Sequence, residues 1–115
     1  MASDSEQISG AVSHLQQQVP KLAGLKLVFG LELTAGGLMG PAQTDHFRVE
    51  LPGPKVSPGA GEDERIRLSI ARTMFSLLAE EGQLVDWREA YHYGHLKVEG
   101  DARVIRLLGQ AIGRA

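Results

Sequence analysis

A chain of 115 residues can fold as one domain over 1–115 and bury enough surface to need no covalent cross-links. Its formal net charge of −2 lacks the basic excess of most nucleic-acid-binding domains, in which release of phosphate counterions supplies much of the affinity. The sequence contains no cysteine, which excludes disulfides, thiolate nucleophiles and thiolate metal ligands.

The first residues, Met1–Glu6, are polar and acidic, whereas a secretory signal needs positive charge followed by an apolar run. No stretch of the sequence approaches the roughly 18 apolar residues of a membrane-spanning helix. We therefore expect a cytoplasmic protein without stable membrane insertion, in which residues 1–5 are disordered.

The first regular pattern is a set of apolar residues at helical spacing. It predicts an amphipathic helix that ends near Pro20, because proline has no N–H to continue a helix. The apolar residues of this face are Ile8, Ala11, Val12, Leu15 and Val19.

Three stretches that follow alternate between apolar and polar residues, at 25–34, 46–51 and 65–70. This alternation predicts strands with one apolar and one polar face. Such strands favour an antiparallel sheet that is covered on one face over a parallel sheet buried on both. The stretch 56–63 contains proline and glycine and is predicted to be a surface loop without a strand.

The second half of the sequence predicts two short helices. Thr73 is the expected N-cap of the first, which ends at Gly82. Asp86 and Glu89 have the spacing of a capping box, so Asp86 is the expected N-cap of the second helix, which ends near Gly94.

The last part of the chain predicts a strand over 95–99 and then a helix that opens at Gly100-Asp101. The helix carries an apolar stripe broader than a helix needs to cover one side of a core. The residues of this stripe are Val104, Ile105, Leu107, Leu108, Ala111 and Ile112.

From about Ile66 to Ile112 the sequence resembles the sterol carrier protein domain, the nonspecific lipid-transfer type. In that family a strand leads into a short helix ending in glycine, and a second short helix ends in another glycine. A lysine-bearing strand and a Gly-Asp pair then precede the closing helix. The matching residues are Leu68-Ser69-Ile70, Phe75, Leu78, Gly82, Asp86 and Gly94-His95-Leu96-Lys97-Val98-Glu99-Gly100-Asp101.

The resemblance implies an α+β fold with a mostly antiparallel or mixed sheet of four to five strands. About four helices would pack on one face around an apolar cavity that receives a sterol, fatty acid, acyl-CoA or isoprenoid. The family has no catalytic residues to transfer, and the polar, aromatic segment 87–93 departs from its usual apolar run. The predicted ligand-binding residues are Phe75, Leu78, Trp87, Tyr91, Leu96, Val98, Ile105, Leu108 and Ile112.

Apolar burial alone is sufficient for such binding. Each methylene removed from water contributes about 0.8 kcal/mol, so a tail of ten carbons contributes roughly 8 kcal/mol before the entropic cost of binding. No specific polar contact is then required for micromolar affinity.

The same residues are also compatible with an interior filled by side chains. The apolar stripe of the last helix is typical of plain core, and Trp87 and Tyr91 are typical core anchors as well as candidates for a cavity gate. The alternative function is a non-catalytic protein-interaction or dimerisation module, in which the stripe is filled by its own neighbours or buried in a homodimer.

Other sites find little support in the sequence. His92 and His95 have i, i+3 spacing, but Gly94 breaks the helix between them, so we predict no metal site. Nucleophile-elbow, zinc-protease and phosphate-loop motifs are absent, and we expect neither a cofactor nor enzymatic activity. Arg103 and Arg106 predict a solvated helix face or, alternatively, a site that holds an anionic headgroup.

Overall fold

The structure is a computed structural model that describes residues 4–36 and 40–113, with side chains described through Gln110. Within this part the chain forms five helices and one five-stranded sheet. The helices are α1 (Asp4–Gln18), α2 (Pro20–Ala23), α3 (Arg72–Glu81), α4 (Leu84–His92) and α5 (Ala102–Gly113). The strands are β1 (Leu27–Ala35), β2 (Gln43–Leu51), β3 (Lys55–Pro58), β4 (Ile66–Ala71) and β5 (Leu96–Gly100).

The strands follow the order β3-β2-β1-β4-β5 across the sheet. Strands β1 and β4 pair in parallel, and the other three pairs are antiparallel. In the centre Phe29 lies opposite Val49 on one side and Ile66 on the other. The predicted α+β fold with a mostly antiparallel, mixed sheet is therefore confirmed.

The apolar face of this sheet forms the floor of the core. Leu27, Phe29, Leu31 and Leu33 alternate along β1 and are all buried. Because side chains of paired residues lie on the same face, the register carries this face through β4 to Val98, which lies opposite Leu68. One continuous apolar surface thus extends across the strands and requires cover from helices.

The opposite face of the sheet is polar and holds ion pairs. Glu32 Oε1 lies 3.4 Å from both His46 Nδ1 and Arg67 Nε. At the other end of this face, a hydrogen bond from Arg48 holds the pKa of the Asp63 carboxyl below its usual range. Such charges remain solvated on an open sheet face, so the helices pack on the apolar face alone.

The helices divide this apolar face between them. Helix α1 packs against α3 and β3, and α3 contacts β1 and β4. Helices α4 and α5 contact β5 at the other edge. The N-terminal side is densely filled, with Ile8 and Leu33 fully buried.

The N-terminal segment is held to the sheet. Asp4 and Ser5 belong to α1 rather than to a disordered terminus, whereas residues 1–3 lie outside the described residues. Arg72 Nη1 donates to Asp4 Oδ1 at 2.6 Å, and its Nη2 donates to Asp45 of β2. The hydrogen bond to Asp4 is the main cause of the raised pKa of Arg72.

The predicted loop over 56–63 was wrong in its first residues, because Lys55–Pro58 form β3. Val56 pairs with Val49 of β2. A four-residue strand is too short to show alternation, and its proline and lysine are typical of a sheet edge.

The predicted N-caps of the two short helices were also wrong. Helix α3 begins at Arg72 after Ala71, which makes no side-chain cap bond. Helix α4 has Gln83 as its N-cap, and the Asp86 carboxylate accepts a 2.8 Å hydrogen bond from the backbone N–H of Gln83. The capping box is present, but it begins three residues earlier than predicted. Asp86 occupies the N3 position of the box and not the N-cap position.

Gly100 is required by the close approach of β5 to β4, which gives a stability prediction. Its φ is +127°, and a Cβ there would lie 2.6 Å from the carbonyl oxygen of Arg65. Gly94 has φ +81° but open space around it. We expect Gly100→Ala to lower the free energy of unfolding by about 3 kcal/mol, and Gly94→Ala by about 1 kcal/mol from backbone strain alone. Urea denaturation measures both values, and equal losses would contradict the assigned contact.

Candidate functional site

An aromatic pair connects α3 to α4 above the apolar face of the sheet. The rings of Phe75 and Trp87 meet edge to face, with centroids 6.0 Å apart and planes at 70°. Phe75 is buried, whereas Trp87 is only half-buried. Trp87 therefore has one side on the core and another accessible from outside.

The core is less completely covered at β5 and α5. Leu96 and Val98 contact the buried core but remain half-buried. Among the residues of α5 whose side chains are described, none is fully buried, although the helix is rich in apolar residues. Those of its residues that pack against the core are Val104, Ile105 and Leu108. This side of the core is thus an apolar wall that its own helices leave partly open.

A cleft of about 390 Å³ lies between α3 and α4. Its apolar lining includes Leu78 and Ala90, which also belong to the buried core. Carboxylates and one aromatic ring lie at its edges. The lining residues are Met74, Leu77, Leu78, Glu81, Gly82, Asp86, Glu89, Ala90, Tyr93 and His95.

A second cleft, of about 440 Å³, lies at the ends of β1 and β4 and beside β5. Hydroxyls and a lysine contribute to it, so its lining is more polar than that of the α3–α4 cleft. Its lining residues are Thr34, Ala35, Gly36, Ser69, Ile70, Ala71, Thr73, His95 and Lys97. Neither of these two clefts includes a residue of α5 between Ala102 and Gln110, the part of the helix whose side chains are described.

The structure brings together most of the residues predicted to bind ligand. Tyr91 is an exception, because its side chain is 53% exposed. Ile112 lies in the last turns of α5, outside the residues whose side chains are described. The residues that form or contact the core are Phe75, Leu78, Trp87, Leu96, Val98, Ile105 and Leu108. Of the predicted residues whose side chains are described, Leu78 alone lines the α3–α4 cleft.

The sequence reasoning missed most residues of the α3–α4 cleft. The sequence nevertheless contains a pattern that could have identified them. The cleft residues of α3 are at positions 74, 77, 78 and 81, and those in and just after α4 are at 86, 89, 90 and 93, so the two sets have the same spacing. Residues at i, i+3/i+4 and i+7 share one helix face. Two consecutive short helices with such faces are candidates to line a shared groove.

The polar residues that the sequence singled out, His92, His95, Arg103 and Arg106, have exposed side chains. His92 ends α4, and His95 follows the turn after it. Among the described residues, no three histidine or acidic side chains lie close enough together to hold a metal ion. Arg103 and Arg106 are exposed on α5 and line neither cleft. In the described part of the chain, no helix is both long and apolar enough to cross a bilayer.

Comparison with known proteins gives matches among solved structures only. No family model and no curated protein matches the chain. Sterol carrier protein 2 of Aedes aegypti, in complex with palmitate, matches with a TM-score of 0.59 at 17% identity, over 97% of this chain and 96% of its own. The apo sterol carrier protein 2 of Yarrowia lipolytica matches with a TM-score of 0.56 at 18% identity, over 88% and 92%.

The chain has the sterol carrier protein fold. A third solved structure, a palmitated sterol carrier protein 2 like 2 from Aedes aegypti, also matches, with a TM-score of 0.56 at 17% identity over 89% of this chain and 94% of its own. The fold resemblance expected from residues 66–112 is therefore confirmed, and it extends over nearly the whole chain. At this level of identity the matches show the fold.

The half-buried state of α5 gives a second stability prediction. Leu108 packs against the core and is half-buried, whereas its neighbour Leu107 is 51% exposed. We expect Leu108→Ala to lower the free energy of unfolding by about 1.5 kcal/mol, less than the 2–5 kcal/mol typical of a fully buried leucine. Leu107→Ala should change it by less than about 0.5 kcal/mol. Thermal or urea unfolding measures both, and a larger loss at Leu107 would reverse the assigned orientation of α5.

Proposed function

We propose that this protein binds a single-chain lipid between α3, α4, α5 and the β4–β5 side of the sheet, without covalent change to the ligand. One observation carries the proposal: Trp87 of α4 and the core-facing side chains of β5 and α5 contact the core but are only half-buried. A bound alkyl chain would remove this apolar surface from water together with its own.

Aliphatic and aromatic side chains around the opening suit an alkyl chain. The Phe75–Trp87 pair supplies flat aromatic surface, and Val98 and Ile105 supply branched aliphatic surface beside it. Such a wall is nondirectional and accepts chains of different length. The palmitate named for two structures of this fold supports an alkyl chain as the ligand class.

The proposed contacts are those predicted from the sequence, with two at the margin. Trp87, Leu96 and Leu108 would touch the chain directly because each is half-buried against the core. Tyr91 is exposed and would reach the ligand only at its outer end. Ile112 remains a predicted contact from the spacing of the stripe.

Trp87 is the only tryptophan of the chain and therefore a built-in probe of the site. We expect titration with 1-dodecanol to give a saturable blue shift of Trp87 emission, with a Kd on the order of 10 µM. Leu108→Glu should weaken binding at least about tenfold, because it places a charge on the apolar wall. The matched control Leu107→Glu should keep the affinity within about twofold, because Leu107 is largely exposed.

Circular dichroism of each variant establishes that it is folded. If Leu108→Glu does not fold, Leu108→Ala replaces it and should weaken binding by about threefold through lost contact area. No saturable response by the folded wild-type protein would refute lipid binding. Equal effects at Leu107 and Leu108 would refute this location for the site.

The exposure of Leu107 next to the half-buried residues favours one second candidate, a homodimer that buries α5. Native mass spectrometry of the purified protein distinguishes the two. Lipid binding predicts a monomer with added lipid mass, whereas the dimerisation module predicts a ligand-free dimer.

A further inference from the structure

The α3–α4 cleft combines an apolar floor with an acidic edge. Glu81 ends α3, and Asp86 and Glu89 lie on α4. Within the described part of the chain, no basic side chain forms an ion pair with any of the three. No lysine or arginine is among the described residues that line the cleft. The described lining of this edge is therefore negative.

The floor of the cleft is part of the core. Leu78 and Ala90 are 6% and 4% exposed, and both line the cleft. Leu78 belongs to the same buried cluster as Phe75, on which Trp87 packs. An alkyl chain that enters between α3 and α4 would thus contact this cluster through Leu78 and Ala90 while its headgroup stays at the acidic edge.

Tyr93 adds an aromatic surface at this edge. Its side chain is 70% exposed, and its ring meets that of His92 edge to face with centroids 5.2 Å apart. The face of an exposed tyrosine ring attracts an ammonium group through the ring quadrupole. Carboxylates next to an aromatic ring are a combination that favours alkylated ammonium groups and repels anions.

We propose that the α3–α4 cleft is the mouth of the lipid site, and that it selects amphiphiles with a cationic alkylammonium headgroup over carboxylates of equal chain length. This inference rests on the proposed lipid binding. It names the headgroup class, which the apolar wall alone does not distinguish. Glu81, Asp86 and Glu89 supply the charge, and Tyr93 supplies the ring.

The test compares three amphiphiles with the same tail: dodecyltrimethylammonium, 1-dodecanol and dodecanoate. The two ions are kept below their micellar concentrations and the alcohol below its solubility limit. Isothermal titration calorimetry at pH 7.5 gives the three affinities. We expect the cation to bind at least about fivefold more tightly than the alcohol, and the carboxylate at least about fivefold more weakly. Added salt should reduce both ratios, because the edge is exposed to solvent.

Variants locate the charge that is responsible. The double variant Glu81→Gln, Glu89→Gln should reduce the ratio of cation to carboxylate affinity at least about fivefold, a larger change than in the affinity for dodecanol. Asp86 is kept, because it caps α4. Glu80→Gln is the matched control: Glu80 is the exposed neighbour of Glu81 and does not line the cleft, so the ratio should not change.

The outcomes separate this inference from the function on which it rests. Equal affinity for the three headgroups, or a preference that the double variant leaves unchanged, would overturn headgroup selection while lipid binding stands. A preference that changes with Arg103→Glu, Arg106→Glu and not with the double variant would place the headgroup at α5 and overturn the inference. Failure of all three amphiphiles to bind would overturn both.

Discussion

The fold depends on a sheet that can be buried on one face only. Ion pairs such as Glu32 with His46 and Arg67 keep the other face in water, so every helix must cover the apolar face. Helices α1 and α3 cover one side of that face, where Ile8 and Leu33 are fully buried. Helices α4 and α5 cover the other side incompletely, and the proposed function follows from this asymmetry.

Alternation and helical spacing predicted the parts of the fold that local sequence determines. The alternating apolar residues of β1 lie on one face of the strand whichever strands pair with it. The burial of Phe29 and Leu31 could therefore be predicted from the pattern alone. The stripe of α5 likewise identified Ile105 and Leu108 as core-facing residues. Residues of this kind make up most of the candidate ligand wall, which is why most of that set was brought together in the structure.

Features that arise between elements were not predictable in this way. Strand β3 exists because β2 offers it backbone hydrogen bonds, and Val56 is its one aliphatic residue. The α3–α4 cleft arises from the distance between two helices, which the spacing within each helix does not specify. Tyr91 follows Trp87 by four residues, about 40° further around the helix, and this rotation is sufficient to leave its side chain 53% exposed.

The central claim is that the half-buried wall of α4, β5 and α5 contacts a ligand rather than water. Isotope-filtered NOE spectra of ¹³C-labelled protein with unlabelled 1-dodecanol observe such contacts directly. We expect NOEs from the alkyl chain to the Trp87 ring and to the methyl groups of Val98, Ile105 and Leu108. NOEs confined to exposed side chains such as Leu107, with none to these four residues, would contradict it.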